Sequence, residues 1–487
     1  MENAIDKPVN SFSIAIRGVV IVMLVAVSSE VACATLKGTP KTNAYATLLY
    51  MGTPRDYEFY IAARVMLGTL LRLEVDADLV VIASTSVPQH WQETLTDEGF
   101  KVVVVKDIQN PYHSNHNFNK RFEFTLNKIY VWSLTEYTRV VMLDVDNLFL
   151  RKPDELFQCG QFCAAFINPC IFHTGLFVLQ PSSEVFSTMM HDINAKKENR
   201  DGVDQGFLVS HFTDLLDRPM FHPPVDGSRL NGLFRLSIGY QMDAAFYYLK
   251  LKWRIPCGPN SVITFPSVPM LKPWYWWSWP TLPLGLSWHE KRMETIGYES
   301  ETSTLIAESL FYVVTMFLAI IIRQRYAAVE KSFTKSCFGR GLYCEKKMCH
   351  PLALKILIAL LVAVSFLFPA LIIPTTVHPF AGWGVFLLGS LWHLTVVINS
   401  FQLPVLPVLT PWIGGIGALS VLAWPFYSNG ILRAAAIAVY TALVTPILWN
   451  AAMKVSAVVD VRTHWEPQLT WTRLNSGSGS ETLMKLC

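Results

Sequence analysis

Charge is what this chain is short of. Of its 487 residues only 16% are Asp, Glu, Lys or Arg, against 52% hydrophobic, and the mean hydropathy is +0.32. That is too apolar for an ordinary soluble enzyme of this length. Neither sign dominates, since 40 Lys and Arg against 37 Asp and Glu leave a net charge of +3. No polyanionic partner is implied, and no basic stretch interleaved with aromatics points to nucleic acid. There is no internal repeat and no Asn-x-Ser/Thr sequon, which sets aside repeat architectures and N-glycan acceptors.

The apolar residues are unevenly spread. Residues 35–303 have a mixed composition, long enough for one large α/β domain. Residues 304–453 are dominated by long apolar runs, and residues 454–487 form a polar tail. Five candidate spans lie at about 304–322, 352–373, 381–400, 403–425 and 431–449, each near the ~20 apolar residues that a bilayer core requires. Residues 1–34 hold a further apolar segment with Lys7 and Arg17 toward its start and Ala32-Cys33-Ala34 at its end. It reads equally as a signal peptide or an uncleaved anchor. The loop 323–350 carries seven Lys and Arg against Glu330 and Glu345, and a short positive loop stays cytosolic. The large domain is then lumenal and the C-terminus cytosolic. The spans hold few ionisable groups, with His393 the one near mid-membrane, which fits an anchor better than an ion path.

Within 35–303, strands are expected at Tyr45–Tyr50, Asp78–Ala83 and Lys101–Val105, and helices over 57–73 and 123–137. Alternating strands and helices predict a mostly parallel sheet. Val140-Val-Met-Leu-Asp-Val-Asp-Asn-Leu-Phe149 is then roughly the fourth strand, deep in the sheet, with Asp144 and Asp146 at its carboxyl end. Ligands bind there in open α/β sheets, and a hard divalent cation could link such carboxylates to a phosphate. The plain alternative is a strand followed by a polar turn. Among enzymes, a haloacid-dehalogenase-type phosphohydrolase also uses such a pair. It usually has Thr or Val two residues after the second Asp, where this chain has Leu148, and Arg200 stands in place of the Gly expected before Asp201.

The stretches Thr125-Leu-Asn-Lys-Ile-Tyr-Val-Trp132, Leu143-Asp-Val-Asp-Asn147, Phe172-His-Thr-Gly-Leu-Phe-Val-Leu-Gln-Pro181, Asp201-Gly-Val-Asp-Gln-Gly206 and Lys272-Pro-Trp274 follow one another in order across most of 45–280. In this order they resemble glycosyltransferase family 8, which includes glycogenin. The resemblance implies a Rossmann-like mixed-sheet nucleotide-sugar domain of the glycosyltransferase A type. It implies Mn²⁺, with Mg²⁺ as the alternative, held by Asp144 and Asp146 beneath a UDP-sugar. Leu48 and Tyr50 match positions near the uridine, Lys128 and Lys272 match bases near the diphosphate, and Val145 and Thr174 join the nucleotide-sugar set. His173 stands where the family usually has Asn, facing the donor sugar. Asp201, Asp204 and Gln205 match the loop beside the transferred sugar, with Asp204 similar to the carboxylate proposed to act in retaining transfer. Taken alone, Asp201 could simply begin a turn before Gly202, Lys128 could be a solvated helix residue, and His173 suits a buried, hydrogen-bonded position. Thr264 occupies the place of a third metal ligand, normally His, and is not assigned as one.

The spans narrow the resemblance to a plant branch, the inositol phosphorylceramide glucuronosyltransferases. That implies UDP-glucuronate as donor, a sphingolipid acceptor and a Golgi membrane; another UDP-sugar, or a polysaccharide or protein acceptor, is the alternative. A multispan transport or scaffold protein with a degenerate lumenal domain is a further alternative. Trp274-Tyr-Trp-Trp-Ser-Trp279 and Trp288 suit a membrane interface, or else a Trp-rich core. The glucuronate carboxylate needs a cationic partner, for which Arg121, Arg229 and Arg235 are available. Cys159, Cys163, Cys170 and Cys257 fall in the lumenal part, and their three possible pairings stay open. Cys337, Cys344 and Cys349 fit no standard zinc spacing.

Overall fold

The structure is a computed structural model that describes residues 42–113, 118–167, 170–244, 260–266, 268, 270–337, 351–424 and 429–463, with backbone alone at 323–337, 351, 462 and 463. The segment 1–34, Cys257, Cys344, Cys349 and the tail beyond 463 lie outside the described residues, as does the side chain of Cys337.

The strand-forming runs are Val-, Ile- and Ala-rich, and they give β1 (Asn43–Leu49), β2 (Asp78–Ser84), β3 (Lys101–Val105) and β4 (Arg139–Leu143). Later come β5 (Asn147–Phe149), β6 (Phe162–Ala165), β7 (Leu176–Leu179), β8 (Leu233–Leu236), β9 (Met242–Asp243) and β10 (Val262–Thr264). The main sheet runs β3-β2-β1-β4-β7-β6-β8. Its first four strands are mutually parallel, while β7 pairs antiparallel with both β4 and β6. The second sheet is β5-β10-β9. This is a mixed α/β sheet domain with β4 at its centre, as the sequence predicts.

Side chains alternate across a strand, and the two faces of the main sheet build two cores. Tyr45, Leu49, Val81, Ala83, Val141 and Leu143 face α1 (Asp56–Arg72). Ala44, Ala46, Val80, Ile82, Val140 and Met142 face Leu126, Ile129 and Trp132. Those last three lie in a 3₁₀ segment, Thr125–Ser133, where an α-helix was predicted. Seven of its nine residues are buried, including Asn127 and Lys128, so it has no polar stripe to face solvent as a surface α-helix would. Further helices are α2 (Gln89–Asp97), α3 (Ser183–Asn194), α4 (Asp204–His211) and α5 (Gly285–Thr295).

Five long helices follow: α6 (Glu299–Cys337), α7 (Pro351–Ile372), α8 (Pro379–Phe401), α9 (Val405–Leu422) and α10 (Gly430–Thr463). Each contains a stretch long and apolar enough to cross a membrane, near the predicted spans. Two bounds differ from expectation. Helix α6 continues through the first half of the predicted 323–350 loop, and α10 continues into the predicted tail to Thr463. The chain divides into two compact units. One comprises the chain to Leu310 with Leu371–Leu387 and Gly415–Ala442; the other comprises Phe311–Ala370, Leu388–Gly414 and the chain from Leu443 on. The second is cored by Ile358, Leu394, Val397, Ile398, Leu403, Val408 and Val459.

The tryptophans expected at an interface are largely interior to the first unit. Trp274, Trp276 and Trp288 are buried. Trp274 packs on Phe59 and Trp288, and Trp276 on Trp383 and Phe386. Each ring is covered by other aromatic side chains, and such ring pairs add to the gain from burying a large apolar surface. Of the cysteines expected in the lumenal part that the structure describes, Cys159 is bonded to Cys163 and Cys170 is free and exposed.

Candidate active site

Chain reversal at the end of β4 builds the site. After Leu143 the backbone turns through Asp144-Val145-Asp146 into β5, and the Asn147 amide donates to the Asp144 carbonyl at 3.3 Å. The Asp144 N–H donates to the Gly175 carbonyl at 2.8 Å, tying the turn to the His173-Thr174-Gly175 stretch that precedes β7. Val145 is buried between its acidic neighbours.

Lys128 is the hub. The inward-facing 3₁₀ segment delivers its Nζ to Asp144 Oδ1 at 2.8 Å, Asp204 Oδ2 at 2.6 Å and the Thr174 carbonyl at 3.2 Å. The solvated reading of Lys128 is therefore corrected: it is buried because two carboxylates need it. Burial alone would lower its pKa, but Asp144 and Asp204 outweigh that and raise it. Burial pushes Asp204 up, yet the Lys128 charge and hydrogen bonds from Lys128 and the Thr174 hydroxyl (2.7 Å) hold it below the usual carboxylate range. Asp144 goes the other way. Burial raises it, Lys128 pulls it down, and the charges of Asp146 and Asp204 leave it raised. Of the two carboxylates on one ammonium, Asp204 keeps its charge more firmly.

Asp146 faces Lys272, with Nζ to Oδ2 at 2.5 Å. Its other oxygen, Oδ1, is buried and has no hydrogen-bond partner among the described residues. A buried unpaired carboxylate oxygen is costly unless something electropositive meets it. Asp144 and Asp146 thus supply hard oxygen donors that suit Mn²⁺ or Mg²⁺, and the residues fit such a cation. Among the described residues no group of three His, Cys, Asp or Glu side chains gathers for a metal, so the donors they offer are the two carboxylates.

The remaining expected residues are placed as follows. Leu48 is buried near the end of β1, and the Tyr50 hydroxyl donates to the Arg121 carbonyl at 3.0 Å. Burial, then the charge of Asp204, raises the Tyr50 phenol. His173 Nδ1 accepts from the Gly175 N–H at 3.0 Å and from Gln241 Nε2 at 2.6 Å. Two donors on Nδ1 put the neutral ring's proton on Nε2. Gln205 is half-buried on the first turn of α4 beside Asp204. Asp201 accepts from the N–H of Val203 at 3.0 Å and, through both oxygens, from that of Gly206 at 3.0 and 3.1 Å. Its carboxylate organises the start of α4, so the structure brings it to the loop as a support for Asp204. Thr264 donates its hydroxyl to Asn147 Oδ1 at 2.5 Å. Sequence reading missed Asn147, Gly175 and Gln241. Only Asn147, adjoining the acidic pair, carried a signal.

Comparison with known proteins bears on this arrangement. The chain is 53% identical over 446 residues to "Putative glucuronosyltransferase PGSIP8" of Arabidopsis thaliana, covering 91% of this chain and 87% of that protein. The chain belongs to the PGSIP glucuronosyltransferase family. The resemblance to glycosyltransferase family 8 therefore holds, and the chain is an enzyme that transfers sugar rather than a phosphohydrolase or a transporter. A family profile described as the PGSIP7 C-terminal domain matches residues 300–468. Inositol phosphorylceramide glucuronosyltransferase 1 of the same plant is 29% identical over 312 residues, 61% of this chain and 56% of that protein. Among solved structures, the glycosyltransferase GlyE of Streptococcus pneumoniae matches with a TM-score of 0.36 and 16% identity, over 52% of this chain and 61% of its own. That likeness is too slight to bear on function.

Proposed function

We propose that this PGSIP-family enzyme is a multi-pass membrane protein that transfers glucuronic acid from UDP-glucuronate to the inositol head group of a sphingolipid. The observation that carries the catalytic part is the convergence of Asp144 and Asp204 on the buried Lys128 ammonium. Domain bounds follow from the sequence: a leader or anchor at 1–34, a catalytic domain at 35–303, five spans within 304–453 and a cytosolic C-terminus. The seven basic residues of 323–350 support a lumenal catalytic domain, and Golgi residence goes with that reading.

A divalent cation on Asp144 and Asp146 would neutralise the diphosphate as it leaves. The chain's own residues do the rest. Lys272, 2.5 Å from Asp146, is the counter-charge for phosphate oxygens, since an ammonium has three donors and can exchange one acceptor for another. Lys128 keeps Asp204 ionised and oriented. That fixed negative charge opposes the positive charge that develops at the anomeric carbon, and a preorganised buried charge is worth more than one in water. Retention follows if Asp204 shields the face opposite the leaving diphosphate. The acceptor oxygen then bonds to the anomeric carbon from the side on which the carbon–oxygen bond to the diphosphate breaks, and its proton passes to the departing diphosphate. Leu48, Tyr50, Val145 and Thr174 line the nucleotide-sugar side, with His173 Nε2–H a donor for a sugar hydroxyl.

The lipid acceptor is supported by the five apolar helices and their exposed Leu367, Leu371, Leu443, Ile431 and Trp449, a surface that water would not tolerate but lipid would. The test is a donor panel of labelled UDP-glucuronate, UDP-glucose and UDP-galactose with a defined inositol phosphosphingolipid and the purified full chain. Label should pass to lipid, from UDP-glucuronate above the others. It should vanish in Asp144→Asn or Asp146→Asn protein that keeps its wild-type melting temperature. Label only in soluble or protein product would overturn the acceptor, and full activity of the variants the mechanism.

A further inference from the structure

Asn147 and Thr264 form a feature that neither the acidic pair nor the lysines account for. Asn147 is 1% exposed and belongs to β5, where antiparallel pairing sets it directly opposite Thr264 of β10. Its Nδ2 donates to the Asp144 carbonyl at 2.9 Å and to the Gly175 carbonyl at 2.6 Å. Its Oδ1 accepts the Thr264 hydroxyl at 2.5 Å. The Asp144 and Gly175 carbonyls can only accept, so they fix the amide nitrogen toward the turn, and the Thr264 hydroxyl holds the oxygen end in place by donating to it. Asp144 is then held from both sides: by its N–H on Gly175 and by its carbonyl on Asn147.

Thr264 is itself buried. It stands where the family resemblance expects an imidazole ligand, yet its proton is directed at an amide. Hydrogen-bond networks around a metal site orient the ligands they support, and losing one typically lowers metal affinity 10–100-fold.

We propose that Asn147 and Thr264 act as a positioning pair in place of a third protein ligand. Thr264 fixes the amide, the amide fixes the turn, and the turn presents Asp144 and Asp146 to the cation. Cation binding then rests on two carboxylates and is completed by the donor diphosphate, so nucleotide and cation bind cooperatively. This rests on the cation-dependent reading given above.

The measurement is Mn²⁺ binding by the full chain in detergent, followed by the loss of the free-ion electron paramagnetic resonance signal, with and without UDP. Wild type should bind Mn²⁺ tightly only with UDP. Thr264→Val and Asn147→Leu should each weaken that binding about tenfold, and the double variant should be no weaker than the worse single one. Thr264→Ser, which keeps the hydroxyl, should match wild type. Thr264→Val is nearly isosteric, so if Asn147→Leu fails to fold, the contrast of Val and Ser at 264 carries the test. Multiplying losses in the double variant, a loss with Thr264→Val but none with Asn147→Leu, or equal binding by Val and Ser would overturn the positioning pair. No Mn²⁺ binding by wild type even with UDP would instead overturn the cation site on which the pair depends.

Discussion

Lys128 answers to more charge than any other side chain in the site. Two carboxylates lie within 2.8 Å of one buried ammonium, and removing one partner of a buried ion pair leaves a charge that the interior cannot solvate. Lys128→Met should therefore cost about 3–5 kcal/mol of stability, read as a lower midpoint in denaturant, and abolish transfer. Wild-type stability in Lys128→Met would mean the carboxylates find another counter-charge. The sequence made the chemistry at this scale partly legible. Asp144, Asp146, Asp204 and Lys272 came forward because carboxylates and lysines in ordered motifs advertise ionic work. What stayed hidden was who pairs with whom. Lys128 facing Asp204, 76 positions away, and Asp201 closing onto backbone amides are outcomes of folding that no spacing rule encodes.

The start of α4 shows the same limit among elements. A Cβ on Gly206 would lie 2.2 Å from Asp201 Oδ1 and 2.5 Å from Asn199 Oδ1, where both oxygens already receive backbone N–H groups. Gly206→Ala should force that loop apart and swing Asp204 off Lys128, lowering turnover by at least tenfold, a price of about 1.4 kcal/mol in the barrier. A steady-state assay checks it, with unchanged turnover the contrary outcome. Strands β1, β2 and β4 were readable because each is a largely apolar run, as expected of strands covered on both faces, and β3, a run of four valines at the sheet edge, stood out by its β-branched residues. The second sheet was not. Strands β5, β9 and β10 are two or three residues long, too short for any period to register, and β5 pairs with β10 across more than 110 positions. Thr125–Ser133 misled because inward-facing polar side chains imitate the polar stripe of an amphipathic helix.

For the molecule as a whole, a buried polar knot in the first unit sets the response to acid. Arg292 donates to the Thr376 carbonyl and pairs with Glu301 at 2.6 Å, while the rings of His289, Tyr298 and His378 pack edge and face alongside. Burial, then the neighbouring Arg292 charge, pushes His378 down to about 4. Burial likewise holds His289 well below its ordinary value. A depressed histidine stays neutral in the folded chain, whereas the unfolded chain takes up its proton near pH 6.5. Stability is therefore complete above about pH 6.5 and declines as pH falls toward 4. Melting temperatures across pH 7 to 5 should drop for wild type and drop less for His378→Asn; parallel curves would exclude His378 from the effect. The five apolar helices were legible from length alone, but the tryptophans were not. A ring's seat in core or at an interface depends on partners, here Trp383 and Phe386, more than a hundred residues downstream.

Trp276 leaves a practical consequence. A Cβ on Gly382 of α8 would come within 2.5 Å of the Trp276 ring, and only three residues separate Trp276 from Lys272, the lysine on Asp146. The chain between them is anchored, since Trp276 N–H donates to the Thr375 carbonyl and Trp274 is buried. A solubiliser that loosens the first turn of α8 would therefore pull on Lys272, the lysine we propose for the diphosphate. In such an extract the enzyme would present as one with poor appetite for its donor while its acidic residues remained intact, and return to lipid would restore it.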